Sequence, residues 1–199
     1  SINLAKSNKV CGIVTLPIYK KNLMQDRSGF IGHTEYLAEK DGSESLMILM
    51  SKDLKVATIT THIPISKVSK SLTRKKISEK ITILHKSLIR DFNIKNPKIA
   101  VSSLNPHSGE EGSIGNEEVK TIVPCINNLK KMGMKIEGPL PADTLFYKKS
   151  LNKFDARICM YHDQALIPLK TLDFYGGINY TAGLSFVRTS PDHGTAFNL

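Results

Sequence analysis

The chain has few cysteines, and their placement argues against a protein held together by disulfides. Only three occur among 199 residues: Cys11, Cys125 and Cys159. An odd, scattered set is not a disulfide framework. Because Cys11 and Cys159 lie in apolar runs, we expect buried free thiols in a reducing compartment such as the cytoplasm.

Long apolar runs are also missing. The longest, such as residues 46–50, are far shorter than the ~20 residues of a membrane-spanning helix. The first residues have neither a long apolar core nor a cleavage pattern, so we expect no signal peptide and no membrane association.

Aromatic residues are absent from the most basic stretch of the chain. The net charge is +10, and a basic surface can attract nucleic acid or anionic small molecules. A platform for single-stranded nucleic acid needs aromatic side chains among its basic ones. We therefore expect a solvated helix face and no nucleic-acid partner. The excess charge lies mainly in Lys67, Lys70, Arg74, Lys75, Lys76, Lys148, Lys149 and Lys153.

Short runs of β-branched residues alternate with helical patterns, which predicts an α/β fold with a largely parallel sheet and flanking helices. Pro124 should kink or split its helix, whereas Pro168 is expected near the first turn of the last helix. Residues 138–141 are expected to form a rigid loop. The predicted strands are 10–15, 46–51, 55–61, 98–102, 156–160 and 185–187, and the predicted helices are 17–23, 73–92, 116–131 and 164–174.

Three histidines each follow, or nearly follow, a predicted strand and lie in a stiff turn-forming segment. They are His62 before Ile63-Pro64, His107 after Asn105-Pro106, and His162 before Asp163-Gln164. Strand ends are where ligands bind in α/β proteins, and three histidines are the minimal ligand set of an open metal site. Each alone is more often structural. Together they indicate one divalent metal, with Zn or Co favoured over Mg by ligand type.

Two further segments carry candidate anion-binding groups. Gly32-His33-Thr34 offers a flexible backbone, a ring and a hydroxyl, although Thr34 capping a helix with His33 in the preceding turn is the simpler interpretation. Arg188 suits a bidentate contact with carboxylate or phosphate. Lys170 would add a second positive charge, or is an ordinary exposed lysine.

Six motifs, taken in order, resemble one enzyme family. The chain is similar to 4-hydroxythreonine-4-phosphate dehydrogenase of pyridoxal phosphate biosynthesis from about Val10 to Ala196, nearly its whole length. The motifs are Gly-His-Thr-Glu-Tyr-Leu (32–37), Thr-His-Ile-Pro (61–64), Leu-Asn-Pro-His-Ser-Gly-Glu (104–110), Gly-Pro-Leu-Pro-Ala-Asp-Thr-Leu-Phe (138–146), Tyr-His-Asp-Gln (161–164) and Arg-Thr-Ser-Pro-Asp-His-Gly-Thr-Ala (188–196).

The resemblance implies a fold like the isocitrate and isopropylmalate dehydrogenases, in a homodimer with active sites at the subunit interface. It implies that NAD lies near His193, Gly194 and Thr195. The implied metal ligands are His62, His107 and His162, with Zn, Co or Mg as the ion. The implied contacts to a phosphorylated substrate are His33, Thr34, Lys170, Asn179 and Arg188.

The implied reaction is NAD-dependent oxidation and decarboxylation of 4-phosphooxy-L-threonine to 3-amino-2-oxopropyl phosphate. A related dehydrogenase of threonate or erythronate 4-phosphate would keep every motif. Because family members continue past both ends, an inactive metal-binding or dimerisation fragment is a third possibility. We expect a central substrate, metal and dimerisation domain at about 27–165, with residues 1–26 and 166–199 as pieces of an incomplete cofactor-binding domain.

Overall fold

A computed structural model describes residues 1–17 and 32–192, and one eight-stranded sheet runs through them in the order β1-β8-β7-β2-β3-β6-β4-β5. The strands are β1 (Gly12–Val14), β2 (Leu46–Met50), β3 (Lys55–Thr58), β4 (Lys98–Ser102), β5 (Lys135–Leu140), β6 (Ala156–Cys159), β7 (Ile178–Ala182) and β8 (Val187–Pro191). The α-helices in these ranges are α1 (Ile2–Lys6), α2 (His33–Asp41), α3 (Ile65–Ser71), α4 (Arg74–Arg90), α5 (Val123–Lys131), α6 (Ala142–Leu145), α7 (Lys148–Leu151) and α8 (His162–Leu172).

The sheet has a parallel block on each side of an antiparallel centre. Strands β3, β6, β4 and β5 pair in parallel, as do β1 and β8. Strand β2 pairs antiparallel with both β3 and β7, and β7 pairs antiparallel with β8. The prediction of a largely parallel α/β sheet is therefore confirmed. Because β3, β6 and β4 are parallel neighbours, the loops that follow them leave the same edge of the sheet.

Helix α4 closes the core against this sheet, as its sequence period predicts. Ile77, Ile81, Leu84 and Leu88 recur on one face, and each is 0% exposed. Thr73 precedes the helix, and its Oγ1 accepts a hydrogen bond from the backbone N–H of Lys76 at 3.2 Å. Thr73 is thus the N-cap, the four apolar side chains form the buried stripe, and the helix predicted at 73–92 is confirmed.

The two helical prolines behave differently. Pro124 is the second residue of α5, which directly follows a π-helical turn at Glu118–Ile122. The predicted split of the helix at 116–131 is therefore confirmed. Pro168 lies inside α8, so the prediction that it is near the first turn is wrong. Proline has no N–H to offer the carbonyl four residues earlier. That carbonyl, on Gln164, instead accepts the thiol of Cys159 at 3.6 Å, and burial raises the pKa of this thiol.

The strand predictions fail where strands are polar or contain proline. Strand β7 was not predicted, and β8 begins at Val187 and continues to Pro191 instead of covering residues 185–187. Strand β5 includes Gly138 and Pro139, which were expected to form a loop. It pairs only with β4, and an edge strand tolerates proline. The helix predicted at 17–23 lies mostly outside the described residues.

Asp41 joins three separate segments at the end of α2. Its carboxylate accepts hydrogen bonds from the Ser185 backbone N–H at 2.7 Å and hydroxyl at 2.6 Å, and it pairs with Lys6 Nζ at 3.0 Å. Its side chain is 2% exposed. Burial alone would raise the pKa of Asp41, but the bonds from Ser185, Lys6 and Ser43 lower it to about 2. The ionised carboxylate therefore favours the folded chain.

We expect Asp41→Asn to lower the free energy of unfolding at pH 7 by about 1–2 kcal/mol. Because the folded pKa lies below the unfolded value, this difference should be complete above about pH 5 and shrink as the pH falls toward 2. Urea denaturation at several pH values, with exposed Asp53→Asn as the control, measures it. A difference that does not change with pH would show that the charge of Asp41 is not its source.

Candidate functional site

A cavity of about 830 Å³ opens beside the carboxyl end of β3 and the first turn of α2. Its walls combine imidazoles, cationic groups and hydroxyls, as an anion- or metal-binding site requires. The charged and polar residues that line it include His33, Thr34, Glu35, Thr58, Thr60, His62, Lys76, Lys80, His162, Asn179, Arg188, Ser190 and Asp192.

His62 and His162 face each other across this cavity. Their ring centroids are 5.5 Å apart, with the ring planes inclined at 47°. Strands β3 and β6 remain paired beyond their ends, because the Thr60 N–H donates to the Met160 carbonyl at 3.2 Å and the Thr60 hydroxyl to the same oxygen at 2.7 Å. This pairing places His62 and His162 next to each other at the ends of the two strands.

Asp163 orients His162. Its Oδ1 lies 2.7 Å from His162 Nδ1, so Nδ1 carries the proton that this hydrogen bond needs. The other ring nitrogen, Nε2, then has its lone pair available as a metal ligand.

Gln164 ties the loop after β6 to the loop after β4. Its Oε1 accepts from the Met160 N–H at 2.8 Å, and its Nε2 donates to the Ser103 carbonyl at 2.7 Å. The side chain is buried. Gln164 belongs to the motif at 161–164, but no local pattern assigns it this bridging role.

His107 lies on an exposed loop, Pro106–Gly112, with an unusual backbone. The five residues from His107 to Glu111 all have positive φ, between 41° and 78°. The left-handed conformation costs an L-residue roughly 1–2 kcal/mol. Only one of the five, Gly109, is a glycine, so surrounding contacts must hold this turn.

Glu118 binds the backbone just before this turn and packs against Gly109 within it, and no sequence pattern pointed to this role. Its Oε1 accepts the N–H groups of Leu104 and Asn105, both at 2.8 Å, and its Oε2 accepts from Asn105 Nδ2 at 2.9 Å. The residue is 1% exposed. Gly109 packs so closely that a Cβ there would lie 2.7 Å from Oε2. Within a stretch of helical composition, the sequence pattern does not distinguish this buried glutamate from a solvent-exposed one.

One chain brings two of the three predicted metal ligands together. Among the described residues, no group of three His, Cys, Asp or Glu side chains is placed to hold an ion. The three-histidine site therefore stays a prediction. To complete it, His107 would have to come from a second copy of the chain.

Arg188 is a buried cation surrounded by hydroxyls. Its guanidinium donates to Thr15 Oγ1 at 2.5 Å, to Thr181 Oγ1 at 2.9 Å and to Thr34 Oγ1 at 3.3 Å. The residue is 3% exposed, and burial lowers its pKa, opposed by the charge of Glu35. No carboxylate forms an ion pair with it within residues 1–17 and 32–192. A buried charge is costly unless paired, so this position suits an anionic ligand.

The other predicted substrate residues take different positions. Asn179 lines the cavity, and its buried Oδ1 has no hydrogen-bond partner in the part of the chain that the structure describes. Lys170 is not among the lining residues. It lies behind Asp192, which does line the cavity, and pairs with it at 2.7 Å.

The first turn of α2 differs from its prediction. His33 is the first helical residue and Gly32 precedes the helix, with no side-chain cap, so placing His33 before a helix capped by Thr34 was wrong. Both side chains still line the cavity. His193, Gly194 and Thr195 lie outside the described residues. Within the described ranges, no helix combines the length and apolarity that a membrane crossing needs.

Comparison with known proteins gives consistent matches. A family model described as "Pyridoxal phosphate biosynthetic protein PdxA" matches residues 1–199. The 4-hydroxythreonine-4-phosphate dehydrogenase of Paracoccus denitrificans is 45% identical over 205 residues, covering 100% of this chain and 64% of its own. That of Neisseria meningitidis serogroup A is 50% identical over 192 residues, covering 94% and 58%. The chain thus spans less than two thirds of the length of these relatives.

Solved structures give the same result for the fold. The crystal structure of 4-hydroxythreonine-4-phosphate dehydrogenase from Klebsiella pneumoniae matches with a TM-score of 0.91 at 39% identity, covering 99% of this chain and 60% of that one. A terephthalate 1,2-cis-dihydrodiol dehydrogenase from Burkholderia xenovorans matches at 0.79 and 24% identity, which shows the fold alone. The predicted fold, like that of the isocitrate and isopropylmalate dehydrogenases, is confirmed.

We expect Glu118→Gln to destabilise the His107 loop, because the new amide would point a donor at the N–H and amide donors that Glu118 now accepts. The cost should be roughly 1–3 kcal/mol. Amide hydrogen exchange at Leu104 and Asn105 should quicken, while exposed Glu111→Gln should leave it unchanged. Unaltered exchange in Glu118→Gln would mean that this carboxylate does not hold the loop.

Proposed function

Because the chain belongs to the PdxA family of pyridoxal phosphate biosynthetic proteins, we propose that the protein catalyses the NAD-dependent oxidation and decarboxylation of 4-phosphooxy-L-threonine. The products would be 3-amino-2-oxopropyl phosphate, carbon dioxide and NADH. One observation supports this beyond the family itself: a facing histidine pair lines the same cavity as a buried arginine that has no carboxylate partner within residues 1–17 and 32–192.

The phosphate end of the substrate is proposed to lie at Arg188 and the first turn of α2. Thr34 accepts from Arg188, so the hydroxyl and the guanidinium are already held together. His33 and Thr34 are the first two residues of a nine-residue helix. The N–H groups of a helix N-terminus favour an anion. A phosphate there would offset the charge that Arg188 now carries among neutral hydroxyls.

A divalent metal is proposed to bind His62 and His162. The residues fit such an ion, because the two rings are adjacent and Asp163 leaves Nε2 of His162 as the ligating nitrogen. Imidazole ligands favour Zn or Co, although substrate oxygens and waters can complete a Mg site. The metal would supply Lewis acidity at the substrate hydroxyl and at the carbonyl formed from it.

The remaining residues are proposed to bind the polar groups of the substrate. Asn179 has a buried Oδ1 in the cavity wall, without a hydrogen-bond partner among the described residues. Lys170 would offset the negative charge of the substrate carboxylate. NAD would accept the hydride, with His193, Gly194 and Thr195 near its adenosine end.

His107 is proposed to reach the metal from a second subunit. Its loop is exposed, Glu118 binds the backbone just before it, and the described residues of one chain supply two facing histidines. A homodimer with the site at its interface would complete the set. Soluble two-fold interfaces of this kind bury well over ~1,000 Å².

The substrate assignment predicts metal-dependent NADH formation by the full-length protein with 4-phosphooxy-L-threonine. Absorbance at the NADH band, with and without chelator, measures the rate. Arg188→Lys should lower substrate affinity, because lysine keeps the charge and loses the planar fork of donors. Exposed Lys75→Arg is the matched control.

Threonate and erythronate 4-phosphates, assayed beside it, separate the proposal from its nearest alternative. If either compound is oxidised faster than 4-phosphooxy-L-threonine, that compound is the substrate and the proposed assignment is wrong. No oxidation of any of the three would contradict the dehydrogenase assignment. Full affinity in Arg188→Lys would show that Arg188 makes no bidentate contact with the substrate.

Shared histidines predict complementation between inactive variants. His62→Ala and His107→Ala should each be inactive alone. Dissociated and mixed, they should regain about a quarter of wild-type activity, because a mixed dimer holds one intact site when histidines come from both subunits. No recovery, with mixed dimers demonstrated by mass spectrometry, would place His107 outside a shared site.

A further inference from the structure

We infer that Asp192, seated against Gly177, is a positioning residue that fixes the ammonium group of Lys170 directly behind the cavity wall that Asp192 lines. The inference rests on the proposed function for the role of Lys170 toward substrate. The placement of Asp192 itself rests on contacts within the chain.

Lys170 belongs to the face of α8 that meets the cavity. His162 and Leu166 both line it, and Lys170 follows at the same helical spacing. Lys170 comes eight helical positions after His162, about 12 Å along the axis. The lysine thus continues a row of side chains that starts at a proposed metal ligand.

The contacts of the Lys170 ammonium are specific. Its Nζ donates to Asp192 Oδ1 at 2.7 Å and to the Phe174 carbonyl at 3.1 Å, and it lies 5.1 Å from the centre of the Phe174 ring. The lysine side chain is 25% exposed, whereas that of Asp192 is 2% exposed. A carboxylate this buried needs a cationic partner, and Lys170 is the one it has among the described residues.

Gly177 makes room for the carboxylate. Residue 178 pairs with residue 191 across β7 and β8, so Gly177 lies opposite Asp192. A Cβ on Gly177 would fall 2.2 Å from Asp192 Oδ2. That oxygen is buried and has no hydrogen-bond partner among the described residues. The carboxylate is therefore confined on one side by glycine and directed on the other toward Lys170.

This ion pair connects two parts of the site. Asp192 follows β8, which carries Arg188, and Lys170 is on α8, which begins with His162. A lysine stem is flexible, so without a fixed partner its ammonium would not keep one distance from a substrate held by the other two groups. Small misplacements of such groups reduce rates strongly.

Kinetics of the full-length protein test the coupling. Asp192→Asn and Gly177→Ala should each lower kcat/KM about 10- to 100-fold, as loss of a supporting partner typically does. Lys170→Met should lower it at least as far, and adding Asp192→Asn to Lys170→Met should cost nothing more. Glu137→Gln, which breaks the exposed pair with Lys153 at 2.6 Å, should leave kcat/KM unchanged.

A substrate-free measurement keeps the inference separate from the proposed function. Reductive methylation of Lys170 with formaldehyde and a borane reductant, followed by mass spectrometry, should proceed several-fold faster in Asp192→Asn and Gly177→Ala, with Lys153 as the internal reference. Gly177→Ala keeps every charge, so it serves if Asp192→Asn does not fold.

Unchanged methylation of Lys170 in both Asp192→Asn and Gly177→Ala would overturn the inference. Additive losses of kcat/KM when Asp192→Asn is added to Lys170→Met would overturn it as well. Faster methylation in a protein that does not oxidise 4-phosphooxy-L-threonine would support the positioning of Lys170 and reject only the substrate.

Discussion

The parallel pairing of β6 with β3 on one side and β4 on the other is the constraint on which the site depends. Parallel strands end at the same edge, so the loops carrying His62, His162 and His107 all leave the sheet there. Hydrogen bonds from Thr60 extend the β3–β6 pairing and bring two of the rings to 5.5 Å. The strained loop after β4, which Glu118 binds at its start, leaves the third histidine, His107, exposed.

A second constraint comes from the other parallel pair, β1 and β8. Arg188 lies on β8 opposite Ile13 of β1, which brings Thr15 within reach of its guanidinium, and the antiparallel pairing of β7 with β8 brings Thr181. These hydroxyls satisfy its donors but do not neutralise its charge. The cavity therefore has a cationic end at Arg188 and an imidazole end at His62 and His162. A ligand with a phosphate at one end and metal-chelating oxygens at the other matches this arrangement.

Local patterns in the sequence predicted much of this structure, since they report on groups close in the chain. The stripe of α4, the cap at Thr73, the split at Pro124 and the family motifs are of this kind. The contacts of Glu118, Gln164 and Asp192 depend on which strands become neighbours, which no local pattern encodes. Strands β5 and β7 were missed for a related reason. The proline of β5 and the polar residues of β7 fit in strands because of the neighbouring strands in the sheet, which a local pattern does not report.

Anomalous diffraction from crystals of the full-length protein grown with zinc tests the central claim most directly. We predict one ion per site, with a ring nitrogen of His62 and Nε2 of His162 at ~2.0–2.2 Å, and with the third imidazole, His107, supplied by the partner subunit. A zinc ion bound elsewhere, or His62 and His162 binding no common ion in zinc-saturated crystals, would contradict it.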